Sequence, residues 1–363
     1  MKKAVFIINS MQNGGAERVV ETQAEFLRKS GLDVTVIFLR RWDQYELHPE
    51  IHRVYLSEKK VFTPFDYGVK LLPLVWRLNR ALKEISRNGE IILMTSNLLY
   101  PDVIARLSRY SGQIMAVIHG HQNLLPFADH FLYKKFVRWL YGSRQVICVS
   151  DSVEREMREV YGLKQGTIRT IGNPLDTERI ERMMEEPLEY TRPFLLFCGR
   201  LTEAKRPDRA LEAYWKGGLQ KTYDLVYLGV GEMEQGLREM AERWGIASSV
   251  HFAGWQSNAY KWMRNASLLV ISSDSEGLSM VLLEALYCGC PVAAVRSQGP
   301  AQIMQGTLRE YLCDADADSL LTVMKKALER YPSNTAEYAR AFEADSVMSE
   351  YLATYHVWNG KFL

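Results

Sequence analysis

Short apolar runs rich in β-branched residues recur along the whole chain, and a segment patterned for a helix stands between most of them. That alternation leaves few folds open, because parallel strands need helical crossovers and the crossovers cover both faces of the sheet. In the first half the strand candidates are 3–9, 33–39, 90–95, 113–118 and 145–149. In the second they are 194–198, 224–228, 249–253, 268–271 and 291–295. The clearest helix runs over 16–30, with Ala16, Val19, Val20, Gln23, Ala24 and Leu27 on one face and Gly31 as its left-handed cap. At 363 residues the chain is too long for one ordinary core, so two such sheets in tandem are expected. The turn-rich stretch from Ile171 to Asp176 suits the linker, since Asn173-Pro174 bars a helix and Asp176 can cap the next. The expected domains are 1–172 and 173–345. The tail has helical spacing, several aromatics and no strand, and its last part, 346–363, is expected as a separate helix.

Composition is that of a soluble globular protein, with 47% apolar and 24% charged residues. The apolar run after Met1-Lys2-Lys3 is too short for a secretion signal, and none reaches the ~18 residues of a membrane span. Five cysteines, each in or beside an apolar run, fit reduced thiols and a cytoplasmic protein. The net charge of +2 hides an asymmetry: residues 1–172 hold 25 basic and 17 acidic residues, net +8, and the remainder 20 and 26, net −6. A basic half points to an anionic partner such as phosphate or a membrane surface, although scattered solvated lysines would give the same sum. Nothing points to nucleic acid.

The most informative segment runs from Ser275 to Leu286. Every residue from Met280 to Leu286 is apolar except Glu284, so this helix is expected to be buried, and its carboxylate then needs hydrogen-bond donors such as the paired hydroxyls of a ribose. Just before it, Glu276 and Gly277 leave the backbone N–H groups of Leu278 to Met280 at a helix start, which is a phosphate site. Upstream, Gly199-Arg200-Leu201 with Lys205 lies between a strand and a helix, where open α/β sheets bind ligands, and offers two cations to a pyrophosphate. Taken alone, a capping Glu276 and two solvated loop charges would read equally well. Gly14-Gly15 opens the first helix and permits close backbone approach. Leu228-Gly229-Val230-Gly231 is a similar turn but lacks the rest of a dinucleotide fingerprint. His119 and His121 close the strand 113–118, and the sequence does not say which of them points inward.

Asp314, Asp316 and Asp318 have the spacing of a metal-binding Asp-x-Asp, but they precede a helix over 319–330 and are better read as its cap and first turn. Residues 131–144 mix Lys134, Lys135, Arg138 and Arg144 with Phe131, Trp139 and Tyr141 at helical spacing, the pattern of a helix lying on an anionic membrane or of a core helix with snorkelling cations.

Together these segments resemble the retaining glycosyltransferases of family 4, in the style of bacterial enzymes that build lipopolysaccharide, capsule and lipid-linked oligosaccharides. The resemblance rests on Asn13 to Arg18, Ile171 to Asp176, Gly199 to Leu201 with Lys205, Leu228 to Gly231, Phe252-Ala253-Gly254, and Glu276 to Glu284. It implies the GT-B fold, two Rossmann-like domains facing a cleft, with the N-terminal one binding acceptor, the C-terminal one binding nucleotide sugar, and the last helix crossing back. It implies that Arg200 and Lys205 neutralise the donor diphosphate, that Glu276 contacts the donor sugar, and that Glu284 holds the ribose. Gly254 is counted with the donor-binding residues, Gly277, Leu278 and Ser279 match the loop whose amides meet the phosphates, and Gly14 and Gly15 the loop that closes over the donor. His119 or His121 matches a histidine near the donor sugar; Ser279 stands where the family often has proline. The implied reaction moves a hexosyl or N-acetylhexosaminyl group from a UDP-sugar to a lipid-linked glycan with no metal or other cofactor, at the inner face of the plasma membrane. A nucleotide-sugar 2-epimerase would share the phosphate grip, a phosphorylase would need a lysine-bound pyridoxal phosphate, and a non-catalytic sugar- or nucleotide-binding module would bind donor and never transfer.

Overall fold

The computed structural model describes residues 2–11, 14–42, 47–60, 70–121 and 130–360. The chain forms two compact units, one from residues 1–174 and 344–363, the other from 175–343. The chain enters and leaves the second unit side by side, since Leu175 N–H donates to the Phe342 carbonyl at 2.6 Å.

The first unit is a seven-stranded parallel sheet in the order β3-β2-β1-β4-β5-β6-β7. Its strands are β1 (Lys2–Ile8), β2 (Asp33–Phe38), β3 (His52–Tyr55), β4 (Glu90–Asn97), β5 (Met115–Ile118), β6 (Val146–Cys148) and β7 (Ile168–Thr170). Helices α1 (Gly15–Lys29), α2 (Leu71–Arg87), α3 (Leu99–Leu107), α4 (Phe131–Tyr141) and α5 (Asp151–Glu159) connect them. The central strands are buried on both faces, which is why they read as unbroken apolar runs.

The second unit holds β8 (Phe194–Cys198), β9 (Asp224–Leu228), β10 (Val250–Gly254), β11 (Leu268–Ile271), β12 (Val292–Val295) and β13 (Leu312–Cys313), ordered β10-β9-β8-β11-β12-β13, all parallel. Its helices are α6 (Thr177–Met184), α7 (Pro207–Lys216), α8 (Glu234–Arg243), α9 (Tyr260–Asn265), α10 (Met280–Tyr287), α11 (Gln298–Ile303) and α12 (Ala317–Glu329). Both sheets therefore reverse their winding once, between β1 and β4 and between β8 and β11. The crevice outside the carboxyl ends of such a strand pair is where doubly wound sheets bind ligands. Helix α13 (Ala344–Trp358) belongs to the first unit: it packs on α1 and β4, with Met348 and Tyr351 fully buried, and Trp358 accepts a hydrogen bond from Gln145 Nε2 at 2.8 Å.

Asp316 caps α12, its side chain accepting from Ser319 N–H at 2.8 Å, and Asp318 pairs with Lys216. All five cysteines are free thiols. No helix among the described residues is long and apolar enough to cross a membrane.

One expectation is corrected. Arg144 and Tyr141 do not face a membrane: both are buried, bound to Asp102 at the start of α3. The Arg144 guanidinium also donates to Ser96 Oγ, Ile114 O and Asp102 O. Burial pushes the Asp102 carboxyl up to about 6 despite these donors. Arg144→Met is therefore expected to lower unfolding free energy by ~3–5 kcal/mol, because it leaves a buried carboxylate without its cation. Arg144 holds the Asp102 pKa down, so without it the variant's folded state takes up the proton at a higher pH than the parent's, and the deficit should shrink as pH falls from 7 towards 5. Urea titrations at the two pH values read both effects.

Candidate active site

In the second unit, three strand ends are stitched backbone to backbone. Gly199 N–H donates to Leu228 O, Leu201 N–H to Val230 O, and Gly229 N–H to Gly254 O, all within 3.1 Å. The loops touch so closely that a Cβ on Gly229 would stand 2.0 Å from Gly199 O, and one on Gly231 2.2 Å from Leu201 O. Both glycines are thus required by the approach of another main chain. Leu201 is fully buried and anchors the loop, while the neighbouring Arg200 is exposed.

Across the winding reversal, the β8 and β11 loops are laced by side chains. Ser272 Oγ donates to the carbonyls of Lys205 and Arg206, and Arg209 donates to Ser272 O and Asp274 Oδ1, each at 2.6 Å. Arg206 takes a left-handed conformation, φ 51°, to start α7. The lacing sets Lys205 Nζ 2.7 Å from Glu276 Oε1, which also accepts from Ser273 Oγ at 2.8 Å. Behind Glu276, Gly299 closes the loop: its N–H donates to Glu276 O, and a Cβ there would crowd Glu276 and the Ser279 amide. Ser279 begins α10 without a side-chain cap, so the helix start offers backbone N–H groups and the positive end of its dipole beside the ion pair. Glu284, half-buried on α10, accepts from Tyr260 Oη at 3.3 Å. Gly254 (φ 67°) turns the chain at the end of β10 and leaves Trp255 exposed.

In the first unit, α1 begins at Gly14-Gly15, beyond the end of β1, with Glu17 folded over Gly14. The two histidines differ. His121 has both ring nitrogens engaged, Nδ1 with Glu156 and Nε2 with Ser152 Oγ at 3.2 Å. His119 donates Nε2–H to Asn97 Oδ1 at 2.9 Å, and its Nδ1 is buried without a partner. Asn97 is itself held by its amide donating to Ile7 O and Thr95 Oγ1. Burial pushes His119 down to about 4, so near neutral pH it is an uncharged ring presenting a bare acceptor nitrogen. Leu98, directly after Asn97, stands at φ 77°, ψ 156°, a region nearly reserved for glycine; such strain marks positions held for a purpose.

Two family models divide the chain between them: "Glycosyltransferase Family 4" matches residues 13–179 and "Glycosyl transferases group 1" residues 179–342. Matched by the two together over residues 13–342, the chain belongs to the glycosyltransferases. Among its relatives is a Campylobacter jejuni N-acetylgalactosamine-N,N'-diacetylbacillosaminyl-diphospho-undecaprenol 4-alpha-N-acetylgalactosaminyltransferase, 25% identical and aligned over 84% of each chain. The amylovoran biosynthesis glycosyltransferase AmsD of Erwinia amylovora is 23% identical over 95% of this chain and 96% of its own. In fold it matches WaaG, a glycosyltransferase of lipopolysaccharide biosynthesis, with a TM-score of 0.66 at 19% identity over 98% of this chain and 100% of that one. The two parallel-sheet units are the Rossmann-like domains of a GT-B glycosyltransferase.

In this glycosyltransferase the structure gathers Arg200, Lys205, Gly254, Glu276, Gly277, Leu278, Ser279 and Glu284 at the carboxyl edge of the second sheet. Gly14, Gly15 and His119 follow the carboxyl ends of β1 and β5 in the first. Asn13, which shared in the first motif, lies outside the described residues. Sequence reasoning missed Tyr260, Asn97 and the Arg209–Asp274 lacing, since each acts through a partner remote in the chain, and it missed Ser273, which bonds Glu276 only three residues on. Trp255 was open to view as an aromatic after a strand-end glycine.

Proposed function

We propose that this chain is a retaining hexosyl- or N-acetylhexosaminyltransferase that uses a UDP-sugar and extends a lipid-linked glycan at the cytoplasmic face of the membrane. The observation that carries the reading is the Lys205–Glu276 pair set beside the uncapped start of α10, with Arg200 on the adjoining loop. A cation and free amides suit a diphosphate, and a carboxylate among them makes sense when sugar hydroxyls lie between.

In this reading Arg200, Lys205 and the amides of Gly277 to Ser279 hold the two phosphates, Glu276 accepts from hydroxyls of the donor sugar, and Glu284 accepts from the ribose. On the first unit, His119 Nδ1, its orientation fixed by Asn97, offers an acceptor suited to a sugar hydroxyl. The bond from the anomeric carbon to the phosphate oxygen breaks as the acceptor oxygen bonds to the same face, and the acceptor proton passes to that phosphate oxygen. The protein contributes positioning and stabilisation of the charge that develops on the leaving diphosphate. Support for the acceptor class comes from the Campylobacter relative, whose name specifies an undecaprenol-linked acceptor. UDP as carrier is supported by its frequency in the family.

Because side chains and amides supply the positive charge, transfer is expected to survive excess EDTA nearly unchanged. Activity lost with chelator and restored by magnesium or manganese would overturn the metal-independent reading and reopen that of Asp314 to Asp318. Turnover of donor without acceptor to an epimerised sugar would favour the epimerase; donor binding without turnover would favour a binding module.

A further inference from the structure

The first unit exposes large apolar side chains on three consecutive helices. Leu72 and Trp76 on α2 are 74% and 61% exposed, Phe131 and Leu132 on α4 59% and 57%, with Leu107 and Trp139 at 40% and 41%. Right-handed crossovers place α2, α3 and α4 side by side on the sheet face opposite α1. They are tied into one layer: Ser108 Oγ and Arg109 N–H, just after α3, donate to Asn79 of α2. On the other side Arg106 of α3 donates to Trp139 O of α4, its guanidinium 5.6 Å from the indole.

The exposed charge on this layer is mainly positive, with Glu84 paired to Arg80. Arg77, Arg80, Lys83, Lys135 and Arg138 are exposed cations on these helices, whereas their acids are Glu84 and the buried Asp102. Apolar and indole side chains flanked by cations complement a bilayer interface carrying anionic headgroups. Helices α2 and α4 run against the strands, so Leu72, Trp76, Phe131 and Leu132 in their first two turns sit toward the carboxyl edge of the sheet, the edge at which His119 and Gly14 stand.

We propose that α2, α3 and α4 form a membrane-docking face that inserts Leu72, Trp76, Phe131 and Leu132 into the headgroup region of an anionic bilayer, while the cations hold the surface. The face takes its purpose from the lipid-linked acceptor proposed above, but it requires no acceptor to bind. It corrects the single-helix pattern of residues 131–144, since Tyr141 and Arg144 are core and half of the apolar surface comes from α2 and α3.

The full chain is mixed with phosphatidylglycerol-containing or pure phosphatidylcholine vesicles, all free of glycan lipids, and floated on a gradient. Binding to the anionic vesicles is expected, falling as added salt shortens the Debye length. Leu72→Ala with Trp76→Ala should weaken partition on the order of tenfold, and Arg80→Glu with Lys83→Glu and Lys135→Glu by roughly a hundredfold. These side chains are exposed, so the melting temperature should hold. Quenching of tryptophan fluorescence by brominated lipid should fall in Trp76→Phe. Equal partition to both vesicle types, no partition to either, or α2 variants that bind like the parent would overturn the proposal. Self-association in the absence of lipid, abolished by the Leu72 and Trp76 changes, would give the face to a second copy instead. Transfer to a water-soluble acceptor by a protein that still floats would count against the lipid-linked acceptor and leave the docking face standing.

Discussion

Lys205→Ala is expected to lower turnover by roughly 10²–10³-fold while leaving the fold intact, the loss seen when a donor aimed at developing charge is removed. Lys205 is poised for this by its surroundings. Its carbonyl is held by Ser272 Oγ, and its ammonium sits 2.7 Å from Glu276. Without it the Glu276 carboxylate keeps Ser273 but loses its balancing cation, so the incoming diphosphate meets like charge and donor KM should rise as well. Stability should change by less than about 1 kcal/mol, because the pair is partly exposed and solvent screens it. Arg200→Ala should cost turnover to a similar degree, since Arg200 rides on a loop whose position Leu201 fixes. Steady-state kinetics beside thermal melts separate the two contributions; near-normal turnover in both variants would return these cations to ordinary solvated loop charges.

Gly229→Ala is expected to be comparably damaging although it removes no functional group. The new Cβ would stand 2.0 Å from Gly199 O and 2.9 Å from its carbon, at φ 138°. Both obstacles are main chain, so the loop bearing Arg200 must move. A displacement of about 1 Å in a positioning group can cost ~10²-fold, and the strain should lower stability by roughly 1–3 kcal/mol. Gly231→Ala should behave alike through Leu201. Gly236, on α8 with nothing within 4 Å of a built Cβ, provides the contrast: alanine there should be neutral or stabilising by ~0.4–1 kcal/mol. Activity and melting temperature for the three variants decide it, and a Gly229→Ala enzyme as active as Gly236→Ala would remove the loop contact from the account.

The alternation of apolar runs and helical segments was enough to read two parallel sheets, because strands buried on both faces leave continuous hydrophobic runs. Strands β3 and β7 escaped that reading. His52–Tyr55 and Ile168–Thr170 lie at the sheet edges, where half-exposed polar residues break the pattern. The residues proposed for the donor side were legible as candidates because they cluster in two segments with opposed chemical demands, a carboxylate beside a phosphate site. The choice between His119 and His121 was not, since it depends on Asn97 from β4 and Glu156 from α5. Arg144 read as a surface cation because its partner, Asp102, lies 42 residues upstream and pairs with it only once the sheet has formed.

The central claim is sugar transfer with retention from a nucleotide donor, and NMR of the anomeric centre tests it most directly. Purified protein is given UDP-sugars isotopically labelled at the anomeric carbon, with diphospho-undecaprenol-linked saccharides as acceptors. The account predicts UDP release coupled to a new glycoside with the α configuration of the donor. A β-linked product, or UDP-sugars left unconsumed where another class of donor is used, would contradict it.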